Sequence, residues 1–228
     1  MKKIGFIGAY DKIDLMLYIS KVLTELEKKI LIIDTTITQK ARYVVPAIAP
    51  SKSYITEYEK IDVAVGFNSM EDIKNYQGNE KLDYDYVLID IDSSTFFEKF
   101  DMINANKNYF VTGFDNYSLK KGLEIIGKLD DKILMTKVLF SQEMLAEEDD
   151  YLNFLSFYYS IRWEDNKIYF PCDTNDLSAQ IENQRISRIR FKNLSETYKD
   201  GLFSLAEDII QDNKLKPEIK KILFKRGE

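Results

Sequence analysis

Histidine is absent from all 228 residues. That absence removes imidazole general bases, Ser-His and Cys-His nucleophile pairs and most zinc sites. Cysteine occurs once, at Cys172, so no intramolecular disulfide framework exists and a reducing compartment fits. Apolar runs long enough to span a bilayer are missing. The opening Met1-Lys2-Lys3-Ile4-Gly5 leads into a short apolar strand without the core of a signal peptide, so a cytoplasmic chain is expected. An excess of positive charge is lacking too. With 32 Lys and Arg against 38 Asp and Glu, the net charge of -6 disfavours a non-specific, whole-molecule grip on nucleic acid. There is no internal repeat, low-complexity tract or linker.

What is present is a globular balance, 45% apolar and 31% charged, in a chain long enough for one large core. Short apolar runs predict strands over 4–8, 30–33, 61–67, 86–91, 109–113, 132–140 and 167–170. Between the first two, Leu15, Ile19, Val22, Leu23 and Leu26 recur at helical spacing, with Asp11 or Asp14 placed to cap. Ser69 is placed to cap a short helix around 72–76, and helices are expected over 117–129 and 142–159. Beyond 171 the chain reads as helical, broken near Pro217. Strands alternating with helices predict a doubly wound, mostly parallel α/β sheet, whose ligand site lies at the carboxyl ends of the strands.

The residues at those ends carry a resemblance. Gly8-Ala9-Tyr10-Asp11-Lys12-Ile13-Asp14 stands between the first strand and the first helix. Asp34 ends the second strand, Asp90 the fourth, and Phe170-Pro171-Cys172-Asp173 the last. In order and spacing this set resembles the ParA/MinD group of deviant P-loop ATPases, from Ile4 to about Gln211. The resemblance implies a P-loop NTPase-like domain over 1–212, with ATP as ligand. It places Gly8, Lys12, Asp34, Asp90 and Pro171 at the nucleotide, with Lys12 on the P-loop lysine and Asp90 on the Walker B aspartate. It further implies a homodimer formed across the nucleotide face, and a protein partner that the sequence does not name.

The departures from that pattern are concentrated in the loop. Only Gly8 and Lys12 remain of its glycines and lysine; Tyr10 adds bulk, and Asp11 brings negative charge to the phosphate position. Ile13 replaces the hydroxyl that would ligate magnesium. Ile7 replaces the family's signature lysine, and Thr36 its second aspartate. Phosphoryl transfer depends on charges and metal placed around the phosphate, so these losses together imply a non-hydrolysing positioning or scaffold protein. The alternative is a nucleotide-binding ATPase with an atypical loop, acting in plasmid or chromosome partition or in pilus or secretion-system localisation. The latter context is the one that the TadZ/CpaE type suggests by analogy.

Three features stand apart. Phe154, Phe157, Tyr158, Tyr159 and Trp163 form an aromatic group whose spacing suits a core, with an interface as the other reading. Arg185, Arg188, Arg190 and Lys192 make a local basic run, by default a solvated face. The last segment, 213–228, is basic and amphipathic. Ile219, Ile222, Leu223 and Phe224 form its apolar side, with Lys220, Lys221 and Lys225 around it, and Pro217 suits its first turn. It resembles the membrane-targeting tail of MinD proteins, which implies peripheral attachment to an anionic surface at the inner face of the cell membrane. Docking on its own domain is the competing expectation.

Overall fold

The computed structural model describes residues 1–48, 51–127, 132–142 and 146–225. In chain order the elements are β1 (Lys2–Ile7), α1 (Ile13–Glu25), β2 (Ile30–Asp34), α2 (Ala41–Val44), β3 (Tyr54–Tyr58), β4 (Ile61–Val65), α3 (Met70–Gln77), β5 (Tyr86–Ile91) and α4 (Ser94–Lys99). They continue with β6 (Lys107–Thr112), α5 (Asn116–Ile126), β7 (Ile133–Ser141), α6 (Ala146–Ser156), β8 (Ile161–Pro171), α7 (Thr174–Ile186), α8 (Glu196–Ile210) and α9 (Lys216–Phe224). The strands form one eight-stranded sheet in the order β3-β4-β2-β5-β1-β6-β7-β8. Every pairing is parallel except that of β3 with β4. This is the doubly wound α/β architecture expected from the alternation of strand and helix.

The central strands β1, β2 and β5 are apolar because both their faces are covered. Side chains alternate between two cores. Ile4, Phe6, Ile32 and Leu88 meet α1, α8 and α9 on one face. Ile7, Ile33, Ile89 and Ile91 meet Ile73 of α3, Phe97 of α4, Leu123 of α5 and Leu152 of α6 on the other. The register sets Asp34 of β2 beside Asp90 of β5, and Phe6 of β1 on the other side of Asp90.

The structure departs from the sequence-based expectations at several places; the short helices α2 and α4, for instance, were not expected. The edge strand β3 was not expected. It joins β4 through Glu59 and Lys60, both with positive φ (52° and 68°). That is the backbone of a tight hairpin turn, here without the Asn-Gly or Asp-Gly pair that announces one. β8 begins at Ile161 rather than 167, since its exposed, charged stretch hides the strand period. Neither Asp11 nor Asp14 caps α1: the cap position is Lys12, with no side-chain cap bond, and Asp11 Oδ1 only accepts from the Ile13 N–H at 3.3 Å. For the segment from 213, docking on the domain is the expectation that matches the structure. Ile219 and Leu223 of α9 are buried in the core shared with α1 and α8. Ser69 does cap α3, accepting from the Asp72 N–H, and Pro217 does sit in the first turn of α9. Residues 128 and 129 of the helix expected over 117–129, 143–145 of the one expected over 142–159, and 226–228 of the tail lie outside the described residues. Among the described residues no helix is long and apolar enough to cross a membrane.

Candidate functional site

The loop after β1 is held by close packing of three strands. Gly8 N–H donates to Ile91 O at 3.0 Å. Its φ is +151°, and a Cβ there would lie 2.1 Å from Val111 O, so only glycine fits. The chain then turns through Ala9, Tyr10 and Asp11 into α1. Lys12 folds back under this turn and is buried at 2% exposure. Its Nζ donates to Gly8 O at 2.7 Å and Tyr10 O at 2.9 Å, and lies 2.9 Å from Asp90 Oδ1. An ammonium has three N–H donors, and Lys12 meets three protein oxygens. Burial pushes the Asp90 carboxyl up to about 7, against the pull of Lys12; nearby Asp34 adds to the rise.

Asp34, its neighbour in register, is turned to its own chain. Oδ1 accepts from the N–H and hydroxyl of Thr36, and Oδ2 accepts from the Ala41 N–H at the start of α2. The hydroxyl of Thr35 donates to Asp90 O, which ties the ends of β2 and β5 together. Asp92 Oδ2 accepts from Ile37 N–H, while its Oδ1 is buried without a hydrogen-bond partner among the described residues, and burial raises this carboxyl. Segment 35–40 is thus pinned at both ends. Its last residue, Lys40, pairs with Asp11 in the loop and with Asp14 on α1. Asp14 in turn accepts two hydrogen bonds from the Gln184 amide of α7, and burial raises its carboxyl despite them.

Tyr10 divides the space above the strands. Its ring stacks on Phe140 at 4.7 Å, and Phe140 stacks on Phe170 at 5.1 Å. Burial and the neighbouring Cys172 hold its hydroxyl protonated well above the usual phenol range. On one side of Tyr10 lies a cavity of about 440 Å³ against Lys12, Thr36, Asp90 and Asp92. On the other lies one of about 360 Å³ against Phe140, Pro171, Cys172 and Gln184. Tyr10, Asp11 and Lys40 line both and form the wall between them.

Of the residues singled out in the sequence, Gly8, Lys12, Asp34 and Asp90 gather at one end of the central strands. Pro171 lies beyond the Tyr10 wall, in the other cavity. Lys40, Gln184 and the Tyr10–Phe140 stack were missed, because contacts between residues this far apart leave no local pattern. The aromatic group splits: Tyr159 and Trp163 are half-buried, whereas Phe154, Phe157 and Tyr158 are 67%, 79% and 75% exposed. In the terminal segment Ile219 and Leu223 point inward. Ile222 and Phe224 are half-buried, and Lys220, Lys221 and Lys225 are exposed.

No protein-family model matches this sequence, and no curated protein does. Solved structures do match, at low identity. The chain is similar to the MinC:MinD cell division protein complex of Aquifex aeolicus, with 16% identity, TM-score 0.60 and coverage of 93% of this chain and 97% of that one. It is similar to a putative plasmid partition protein of Borrelia burgdorferi bound to AMPPNP, with 14% identity, TM-score 0.60 and coverage of 92% and 98%. A ParA family ATPase from Chlorobium tepidum matches with 13% identity, TM-score 0.50 and coverage of 96% and 95%. At these identities the likeness is one of fold, and it spans the whole domain: the chain has the ParA/MinD-like P-loop NTPase fold.

Proposed function

We propose that this chain uses the ParA/MinD-like fold as a positioning or scaffold protein that does not hydrolyse nucleotide, dimerises, and recruits a protein partner. The observation that carries the reading is the state of Lys12. Two loop carbonyls accept its hydrogen bonds and the Asp90 carboxylate lies 2.9 Å away as its counter-ion, so a phosphate would have to displace a buried carboxylate to reach it. The surroundings support the same reading. The wall of Tyr10, Asp11 and Lys40 splits the space that a nucleotide would need whole. Ile13 is buried in the core and offers magnesium no oxygen. Asp34 spends both oxygens on its own loop. As arranged, these residues do not fit a magnesium nucleotide, because Lys12, Asp34 and Lys40 are each engaged by protein groups.

The closed loop also bears on assembly. In a nucleotide switch, the terminal phosphate and its metal hold the mobile segments. Here Asp11 and Asp14 hold Lys40, and Asp92 holds Ile37, with protein groups alone. The face is therefore set without a ligand, and self-association through it is independent of nucleotide. Light scattering with and without ATP and magnesium tests this: the same dimer in both is the expected result, and a dimer that appears only with ATP overturns it.

The rival reading, an ATPase with an atypical loop, rests on the convergence of Gly8, Lys12 and Asp90 at the strand ends. It requires Lys12 to leave Asp90. A membrane role for α9 carries a comparable requirement. Ile219 and Leu223 would have to leave the core, at a cost of about 1.5–3 kcal/mol for each large aliphatic side chain exposed to water, before they could enter lipid.

A further inference from the structure

The helix α6 is built inside out. Its inward side carries Leu152, which is buried, and Asp149, which pairs with Lys137 and Lys167. Its outward side carries Glu147, Asp150, Tyr151 and Phe154, spaced i, i+3, i+4, i+7 on one stripe. Just past the helix, Phe157 and Tyr158 extend the stripe, edge to face at 5.5 Å. Large aromatic rings left in water beside carboxylates are what an interface presents before it is covered.

A second surface has the opposite character. A cavity of about 540 Å³ runs between the end of α1, segment 188–192 and α9. Ile189, Phe191 and Ile222 give it an apolar floor. Three carboxylates line it: Glu25 and Glu59 are taken by Lys21, Glu59 also by Arg188, and Glu218 is exposed. Arg190, Lys192 and Lys221 have no carboxylate partner among the described residues. An acidic stripe bearing aromatic rings complements such a groove twice, by charge at the rim and by ring against apolar floor and guanidinium.

The two surfaces cannot meet within one chain. α6 packs on the sheet face of α5, next to the edge strand β8. The groove lies on the other face, and its Glu59 belongs to the β3–β4 turn at the opposite edge. We propose that the α6 stripe of one copy docks in the α1–α9 groove of the next, so that the protein assembles head to tail. The contact is heterologous: each copy keeps one free stripe and one free groove, and the assembly grows unless it closes into a ring. It does not involve the loop around Lys12, so it stands or falls independently of the proposed function.

The test uses the full chain in three forms. A stripe variant carries Phe154→Ser and Phe157→Ser, a groove variant Arg190→Glu and Lys192→Glu, and a combined variant all four changes. These side chains lie at the surface, so unchanged thermal transitions are expected. Should the serines lower the transition, Asp150→Lys reads the same contact by charge alone. Sedimentation velocity of the wild type should show association beyond a dimer that grows with protein concentration and weakens with salt. Each single-surface variant should lose it, with affinity down by roughly tenfold or more. Immobilised stripe variant should capture the groove variant, through its intact groove and the other's intact stripe, at least tenfold more strongly than it captures the combined variant, whose residual capture measures the separate face around Lys12. Equal capture of the groove and combined variants would overturn the proposal by pointing to another interface. So would a wild type that goes no further than a dimer at any concentration, or growth beyond the dimer lost in the stripe variant but kept in the groove variant.

Discussion

Lys12 Nζ lies 2.9 Å from Asp90 Oδ1, with both side chains buried beneath the loop that follows β1. A buried pair of this kind contributes little net stability when whole and costs heavily when halved. Lys12→Met should therefore lower the unfolding free energy at pH 8 by about 3–5 kcal/mol, because Asp90 must either stand charged without its counter-ion or bind a proton that the unfolded chain does not hold at that pH. At pH 5 the loss should be smaller, since Asp90 can take a proton. Urea denaturation at the two pH values checks both statements, and an equal loss at each would contradict them.

The raised Asp90 carboxyl has a definite sign in the pH dependence. The folded protein binds this proton near pH 7, the unfolded chain near 4. The stabilisation it brings is complete below the unfolded value and is lost as the pH rises toward the folded one. Asp14 and Asp92 are raised by burial and act in the same direction, while Asp149 and Glu164, held down by lysines, act oppositely. The difference between wild type and Asp90→Asn isolates the one group. Between pH 4 and 7 the wild type should lose stability relative to the variant as pH rises; a flat difference would show an ordinary carboxyl at this position.

How much of this was legible in the chain differs by element. The central strands were, because both faces are buried and the runs 30–33 and 86–91 are uninterrupted. So was the placement of Lys12 and Asp90, which rests on order and spacing. β3 was not, because Glu59 and Lys60 adopt positive φ without glycine. The outward aromatics of α6 were not either. Their spacing suits a core, and only the contacts of Asp149 with Lys137 on β7 and of Leu152 with the core decide that these rings face out. Nor was the site's closed state, since Tyr10 meets Phe140 and Asp14 meets Gln184 across more than a hundred residues of sequence.

If the wall is what excludes nucleotide, removing it should admit one. Tyr10→Gly, Asp11→Gly and Ile13→Thr together restore two loop glycines and the hydroxyl in this chain. The triple variant should bind ATP with magnesium in a calorimetric titration in which the wild type shows no binding. If the variant folds yet takes up no nucleotide, the wall is not the cause of exclusion.

The docking of α9 makes its own prediction. Leu223→Ala should destabilise the domain by about 2–5 kcal/mol, the usual range for a buried leucine. Lys220→Glu, on the exposed side, should change stability by less than about 0.5 kcal/mol. Thermal or urea unfolding separates the two. A neutral Leu223→Ala would mean that α9 does not rest on the core in solution.

The central claim, that the loop is closed on itself and turns over no nucleotide, is tested most directly by phosphate release from ATP with magnesium, wild type beside Lys12→Ala. The account predicts the same background release from both, indistinguishable from buffer. Release above background by the wild type, lost in Lys12→Ala, would contradict it and make the chain an ATPase.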